Sequence, residues 1–463
     1  MSTRANSPHG RDIAYHLHPY TNLAAHEELG PHIMVEGDGV YVIDDAGKRY
    51  IEGLAGLWCA SLGFSEPRLA AAAAAQMGKL PYYHDFAHKA TPPVIDLAER
   101  LIEMAPVPMS KVFFTNSGSE ANDALIKLVW YYNNALGRPE KKKIISRRQG
   151  YHGVTVATAS LTGLAYVQDS FDLPIANFRH TDCPHYWRFG RDGESEEAFA
   201  ARMAANLDEL IVDEGPETVA AFIAEPVQGA GGVIVPPATY FEKVQEVLRR
   251  HDVLFIADEV ICGFGRTGNM FGSQTYHLKP DMISVAKALS AAYLPIGASM
   301  ISEKIYQAIR DESKRLGIFG TGHTYGGHPS CAAVAIETLK IYEERDILGH
   351  VRHVSPRFLA RLHRLGDHPL VGEARGVGLI GAVQLVADKA TREPFDPDLK
   401  AGAAVMNRAA EHGLLVRALV DDSIAVCPPL IITEGEIDDL FDRFEKALDD
   451  THEKLAKRGA AAA

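Results

Sequence analysis

Between residues 111 and 287 the chain carries a succession of strand-length apolar runs: KVFFT, KKIIS, VAAFIAEP, VLFIADEV and DMISVAK. Each is apolar at consecutive positions rather than at alternate ones, so each must be covered on both faces. Helical stretches lie between them. PATYFEKVQEVLRRHD is amphipathic and joins VAAFIAEP to VLFIADEV, which makes a βαβ unit. A parallel sheet with helices on its faces satisfies this pattern. The sequence therefore predicts an α/β core whose sheet is mostly parallel.

The chain has 463 residues, more than one ordinary core holds. Past residue 330 the pattern changes. GLIGAVQLV and DSIAVCPPL read as strands, and SCAAVAIETLKIYEERDILGHV as one long helix. A last helix opens at Thr433 and Glu436, a capping box, and is apolar at Ile437, Leu440, Phe441, Phe444 and Leu448. Near the other end, GVYVIDDAGKRYIEGLAG alternates about a DDAGK turn and reads as a hairpin. EPRLAAAAAAQMGKL and PPVIDLAERLIEM read as helices. The expected division is an N-terminal arm with part of a small domain over 1–65, a large domain over 66–325, and a smaller α+β domain over 326–463.

Several functions are set aside by composition. The net charge is -13, and no basic stripe suited to nucleic acid is present. The clusters Lys141–Lys143 with Arg147 and Arg148, and Lys454–Arg458, read as solvated helix faces. The five cysteines form no CxxC pair, so neither a disulfide framework nor a zinc ribbon is indicated. HEELGPH fails HExxH at Gly30, and His180, Cys183 and His185 lack a fourth ligand, so no metal is expected. Two literal GxGxxG matches, Gly263-Gly265-Gly268 and Gly376-Gly378-Gly381, are not followed by a helix start and read as turns. No apolar run is long enough to cross a membrane, and the N-terminus lacks the apolar core of a signal peptide. A cytoplasmic location is expected.

Three segments carry chemistry. In KVFFTNSGSEAND a strand turns into a helix. Ser117 can cap that helix, with Glu120 three residues on. Gly118 and Ser119 then expose backbone N–H groups that have no partner within the helix, an anion site if a ligand is present and an ordinary cap if not. VLFIADEV ends in Asp258 and Glu259, at the strand ends where α/β sheets place their ligands. An aspartate capping the next turn would look the same. DMISVAK ends in Lys287, a lysine leaving an apolar strand, which desolvation makes nucleophilic unless it snorkels to the surface. Phosphate cup, carboxylate and lysine, in that order, are what pyridoxal phosphate (PLP) requires.

NSGSEAND (116–123), YHG (151–153), AEPVQGAGGVIVPP (224–237), ADEVICGFGRTG (257–268), AKALSAAYLPIGA (286–298), HTYGGHP (323–329) and GLLVRAL around Arg417 resemble the class III aminotransferases of PLP fold type I, specifically the amine–pyruvate (omega) transaminases. The resemblance spans nearly the whole chain. It implies a large domain with a mostly parallel seven-stranded sheet and a smaller α+β domain. It implies that Lys287 and Asp258 are catalytic and that Ser117, Gly118 and Ser119 bind the phosphate. Tyr151 would stack on the ring, with Val260 on the opposite face and His152 and Glu225 close by. Thr324 would be donated by a partner subunit, so a homodimer with shared sites follows, dimer against tetramer being left open. Tyr20, Trp58, Tyr151 and Ala230 would line the substrate pocket, and Arg417 would pair with a substrate carboxylate. The implied reaction moves an amino group from a primary amine or ω-amino acid to an α-keto acid, pyruvate, by a ping-pong route. Donors such as a diamine, taurine or a β-amino acid fit as well, and another PLP reaction on the same fold or a non-enzymatic PLP-sensing regulator are the remaining alternatives. Ser290-Ala291-Ala292-Tyr293 departs from a Gly-rich family pattern, and Gly326 stands where serine is common.

Overall fold

The computed structural model describes residues 6–462, with side chains as far as Lys457; Arg458 therefore lies outside the described side chains. The strands in chain order are β1 (Met34–Asp38), β2 (Tyr41–Asp44), β3 (Arg49–Glu52), β4 (Lys111–Thr115), β5 (Lys143–Arg147), β6 (Phe178–Thr181), β7 (Val219–Ala224), β8 (Leu254–Asp258), β9 (Met282–Val285), β10 (Gly297–Ile301), β11 (Val371–Val377), β12 (Ile380–Leu385), β13 (Leu414–Leu415), β14 (Arg417–Ala418) and β15 (Ser423–Val426). Seven of them form one sheet in the order β4-β10-β9-β8-β7-β5-β6. All but β10 run the same way. Every residue of β7 and of β8 is buried, which is why their sequences do not alternate.

β10 is reversed for a physical reason. Only Ala286–Ile296 separates it from β9, and that loop holds one short 3-10 turn in place of a crossover helix. A parallel return needs a dozen or more residues, so the chain comes back antiparallel. The helix Tyr240–Arg250 lies between β7 and β8 as the sequence predicts, and buries Phe241, Val244 and Leu248.

The N-terminal hairpin, β2 with β3, does join the C-terminal part: β3 pairs in parallel with β13. A third sheet, β11-β12-β15-β14, completes the smaller unit. The last helix, Glu434–Ala462, opens on the expected box, with Glu436 N–H on Thr433 Oγ1 and Thr433 N–H on Glu436 Oε2. Its Ile437, Leu440, Phe441, Phe444 and Leu448 are wholly buried.

Three expectations are corrected. The single helix after residue 330 is two, Pro329–Glu344 and Ile347–Arg364. Asp346 breaks it with φ +45°, and its carboxylate caps the second helix at Gly349 N–H, 3.1 Å away. Lys141–Arg148 is not a solvated helix face. Lys143–Arg147 is β5, Lys141 and Arg147 are buried, and Lys143 pairs with Glu214 at 2.8 Å. Finally, one helical turn, Gly272–Thr275, does follow the first glycine-rich loop. Glu259 already takes its amides, accepting from Gly272 N–H at 2.9 Å and Ser273 N–H at 2.5 Å, so they are not free for a dinucleotide.

Candidate active site

A cavity of about 490 Å³ opens at the C-terminal ends of β8 and β9, beside the start of the helix Gly118–Ala135. It gathers residues from distant parts of the chain: Tyr20, Trp58, Ser117, Gly118, Ser119, Tyr151, His152, Glu225, Ala230, Asp258, Val260, Lys287 and Arg417. Of the residues that the resemblance assigns to the site only Thr324 lies elsewhere. It is exposed, and its carbonyl accepts from Tyr82 Oη at 2.6 Å. Tyr166, Asn122, Leu57 and Cys59 line the cavity without having been singled out.

The phosphate end follows from local sequence. Ser117 is extended (φ -154°, ψ 166°), and its Oγ accepts from Glu120 N–H at 3.2 Å. The reciprocal half of the box is shifted by one residue, because Glu120 Oε2 accepts from Asn116 N–H at 2.7 Å instead of from Ser117. The amides of Gly118 and Ser119 are left facing the cavity at the positive end of an 18-residue helix. Gly118 is required there: a Cβ would lie 2.9 Å from Val260 Cγ1. Ser119 Oγ accepts from Val154 N–H at 3.2 Å, so its own proton is free to donate.

At the other end the Asp258 carboxylate closes β8. Its Oδ2 accepts from Asn122 Nδ2 at 2.7 Å and meets His152 Nδ1 at 2.8 Å; its Oδ1 accepts from Val260 N–H at 3.1 Å. His152 and Asp258 are both buried, so the pair is fixed in place. Asn122 lies one helical turn beyond Gly118, so a single helix carries both the phosphate cup and a support for Asp258. Glu225 accepts from Tyr151 N–H and from Gly229 N–H, each at 2.9 Å, and so orients the loop under the Tyr151 ring. Burial pushes the Glu225 carboxyl above its usual range.

Lys287 leaves β9 in a left-handed conformation, φ +44°. Burial lowers its amine, and the Asp258 charge offsets only part of that effect. The amine stands 5.5 Å above the Trp58 ring centroid. Arg417 lies 5.7 Å from Trp58 and 6.0 Å from Tyr20. Tyr20 Oη donates to Tyr151 Oη at 3.2 Å. The Tyr151 hydroxyl is pushed well up by burial and by that contact. The cavity thus has a lysine and a carboxylate on its floor, an anion cup at one end, and an arginine among aromatic rings at the other.

The residues fit PLP. Gly118 leaves room where a phosphate must approach, and His152 Nε2 is buried without a partner inside the cavity wall. The metal candidates from the sequence do not gather. His180 bonds to the Leu161 carbonyl, Cys183 to Gln149, and His185 to Glu373. A different set converges in the N-terminal arm, where Asp12 meets His16, His18 and His26. Of the two family departures, Gly326 has no room for a side chain, since a Cβ would lie 2.6 Å from the Phe114 carbonyl oxygen. Ala291 and Ala292 both take left-handed angles, +47° and +68°.

Residues 23–448 match the model of the family "Aminotransferase class-III". The chain is a class III aminotransferase. This aminotransferase is 52% identical over 440 residues to the chloroplastic gamma aminobutyrate transaminase 3 of Solanum lycopersicum, covering 95% of this chain and 84% of the relative. It is 52% identical over 457 residues to the mitochondrial gamma-aminobutyrate transaminase 1 of Oryza sativa subsp. indica, covering 98% and 88%. The omega transaminase of Pseudomonas jessenii in complex with PMP superposes with a TM-score of 0.96 at 55% identity, over 97% of this chain and 99% of that one. PMP is the amino form of pyridoxal phosphate, and PLP is the cofactor of the aminotransferase. The expectation of a cytoplasmic location is overturned, because these curated relatives are organellar enzymes. That expectation rested on the missing apolar signal core, a feature that organellar transit peptides, being amphipathic, do not have either.

Proposed function

We propose that this aminotransferase moves the amino group of a primary amine or ω-amino acid to pyruvate, releasing an aldehyde or ketone and alanine by a ping-pong route. The observation that carries the reading is Arg417. Its guanidinium stands between Tyr20 and Trp58 over the cavity, and among the described residues no carboxylate lies within salt-bridge distance of it. A planar cation held free beside apolar rings is suited to a carboxylate on a small acid. A carboxylate-free amine would occupy the same aromatic space with Arg417 turned aside. The curated relatives, named for gamma-aminobutyrate, favour a donor that carries its own carboxylate.

Bound PLP supplies an aldehyde that captures the amine and a ring that accepts the electron pair left when the substrate proton departs. The residues do the rest. Lys287, desolvated and therefore neutral at a lower pH than an ordinary lysine, is the nucleophile that holds the cofactor and, once displaced, the base and acid that moves the proton at its Nζ. Asp258, fixed by Asn122, His152 and the Val260 amide, holds a proton on the ring nitrogen. The Gly118 and Ser119 amides would hold the phosphate, and Tyr151 and Val260 would flank the ring. Thr324, exposed and absent from its own cavity, is assigned to the site of a partner subunit in a homodimer.

The test is a donor panel with pyruvate, read as alanine formed, with Lys287→Ala alongside. Alanine from amines or ω-amino acids, abolished by Lys287→Ala, is expected. Consumption of donor without alanine would point to another PLP reaction.

A further inference from the structure

The segment that presents Trp58 is strained. Ala55 and Trp58 take φ of +49° and +59° on either side of Gly56 (+69°) and Leu57 (-127°), and positive angles at two residues that carry a Cβ are kept only by strong local constraint. Two groups outside the cavity supply such constraint. Glu52, the last residue of β3, is 7% exposed and accepts from the Gly56 N–H, and the Leu54 N–H also faces it. Its burial pushes the carboxyl up to about 7, against the opposing pull of the Gly56 and Leu54 amides and, after them, of Arg266. At the other end the Trp58 indole N–H donates to Cys427 Sγ at 3.2 Å, and Cys427 is wholly buried just past β15. Cys427 N–H in turn donates to the Gly53 carbonyl at 2.7 Å, which ties the two supports together. Trp58 is the ring against which both Lys287 and Arg417 lie, so its position sets the space between the reacting amine and the carboxylate site.

We propose that Glu52 and Cys427, which do not touch the cavity, are positioning residues that fix Trp58 and thereby set the size of donor admitted. The inference rests on the amine–pyruvate reading above. Glu52 holds the backbone of the strained turn, and Cys427 holds the indole that the turn presents.

The experiment compares the holoenzymes of wild type, Glu52→Ala, Glu52→Gln and Cys427→Ala with two donors, 2-aminobutane and 1-phenylethylamine, against pyruvate. Glu52→Ala is expected to raise the ratio of kcat/KM for the larger donor over the smaller about tenfold, mainly through KM. Glu52→Gln keeps an oxygen for the Gly56 amide and returns most of the wild-type ratio. Cys427→Ala shifts the ratio the same way, by about threefold, since it loses one weak hydrogen bond. A crystal structure of Glu52→Ala should show the Trp58 ring displaced from Cys427. An unchanged donor ratio in folded Glu52→Ala and Cys427→Ala, or an unmoved ring, overturns the proposal. Should Glu52→Ala fail to fold, Cys427→Ala decides by the same two readings. If wild type makes no alanine, the reaction assigned to the chain fails, while the ring position still decides the positioning role.

Discussion

In the proposed reaction Lys287 and Asp258 divide the chemistry between a nucleophile and a fixed counter-charge, and their surroundings suit that division. Asp258 keeps its geometry through three donors, so Asp258→Asn should fold normally while losing the charge that holds a proton on the ring nitrogen. We expect kcat for the amine half-reaction to fall by about 10²- to 10³-fold, an order of magnitude set by the loss of one preorganised electrostatic partner. Single-turnover absorbance with the amine donor measures this, and a variant within threefold of wild type contradicts the role. Close by, Ala291 and Ala292 store strain, because each sits at a positive φ that a Cβ disfavours. Ala292→Gly should relieve it and stabilise the fold by about 0.5–1 kcal/mol, net of the entropy glycine adds to the unfolded chain. Thermal unfolding of the two holoenzymes at one PLP concentration is the measurement, and a lower Tm for the variant argues that Ala292 is not strained.

The N-terminal arm is an element with little core of its own: its helices, Pro8–Tyr15 and Leu23–Leu29, bury no residue. What holds its two helices together is Asp12, which joins His16 at 3.1 Å, His18 at 2.8 Å and His26 at 3.0 Å, while His9 on Asp45, Tyr20 on Tyr151 and His32 on Asp44 tie the arm so shaped to the body. Partial burial raises the Asp12 carboxyl, but hydrogen bonds from His18, His16 and His26 outweigh that and hold it at about 2. With the folded value below the ordinary 3.8, the tie is in place above that pH and is lost as pH falls through about 2. The arm delivers Tyr20 to the cavity, so Asp12→Ala should loosen it at neutral pH, admit protease between residues 8 and 30, and raise KM for the donor about three- to tenfold. Proteolysis and KM that match wild type would show the arm to be held elsewhere. Elements of this kind mark where sequence reading stops. The buried parallel strands were legible because an uninterrupted apolar run leaves few alternatives, and Lys287, Asp258 and the Ser117 cap were legible because each stands at the end of such a run. β6 and β10 were not, because FRHT is short and carries an arginine and a histidine, and GASMI opens on glycine, alanine and serine with large apolar side chains only at its end. KKIIS reads as a strand and is β5; only the basic cluster around it misled, because β5 buries Arg147, a charge that composition places outside. Asn122, Tyr166 and Cys59 reach the cavity only through tertiary packing, although a buried asparagine one turn past Gly118 is a signal that could have been read.

At the scale of the whole molecule, one observation still calls for a partner. The loops 80–89 and 316–325 carry exposed Tyr83, Phe86, Leu316, Ile318 and Tyr325. Beneath them Asp85 Oδ1 is buried without a partner, and burial pushes that carboxyl up to about 6. An apolar patch over an unsatisfied carboxylate is what an interface leaves when its second subunit is taken away. Thr324 lies in this same region, outside its own cavity. If a second copy covers the patch by a twofold axis, each Thr324 reaches the other subunit's phosphate cup, and each site is built from two chains. Two defective variants then repair each other. Lys287→Ala has no nucleophile in either site, and Thr324→Ala binds phosphate weakly in both. In a mixed dimer, one site combines the intact Lys287 of one chain with the intact Thr324 of the other, while the second site carries both defects. Unfolding and refolding the two variants at equal concentration makes about half of the dimers mixed, so activity at limiting PLP should recover to about a quarter of wild type. Were Thr324 to serve its own chain, every site in the mixture would carry one defect and no recovery would occur. Sedimentation of the same sample separates the two outcomes from a failure to associate.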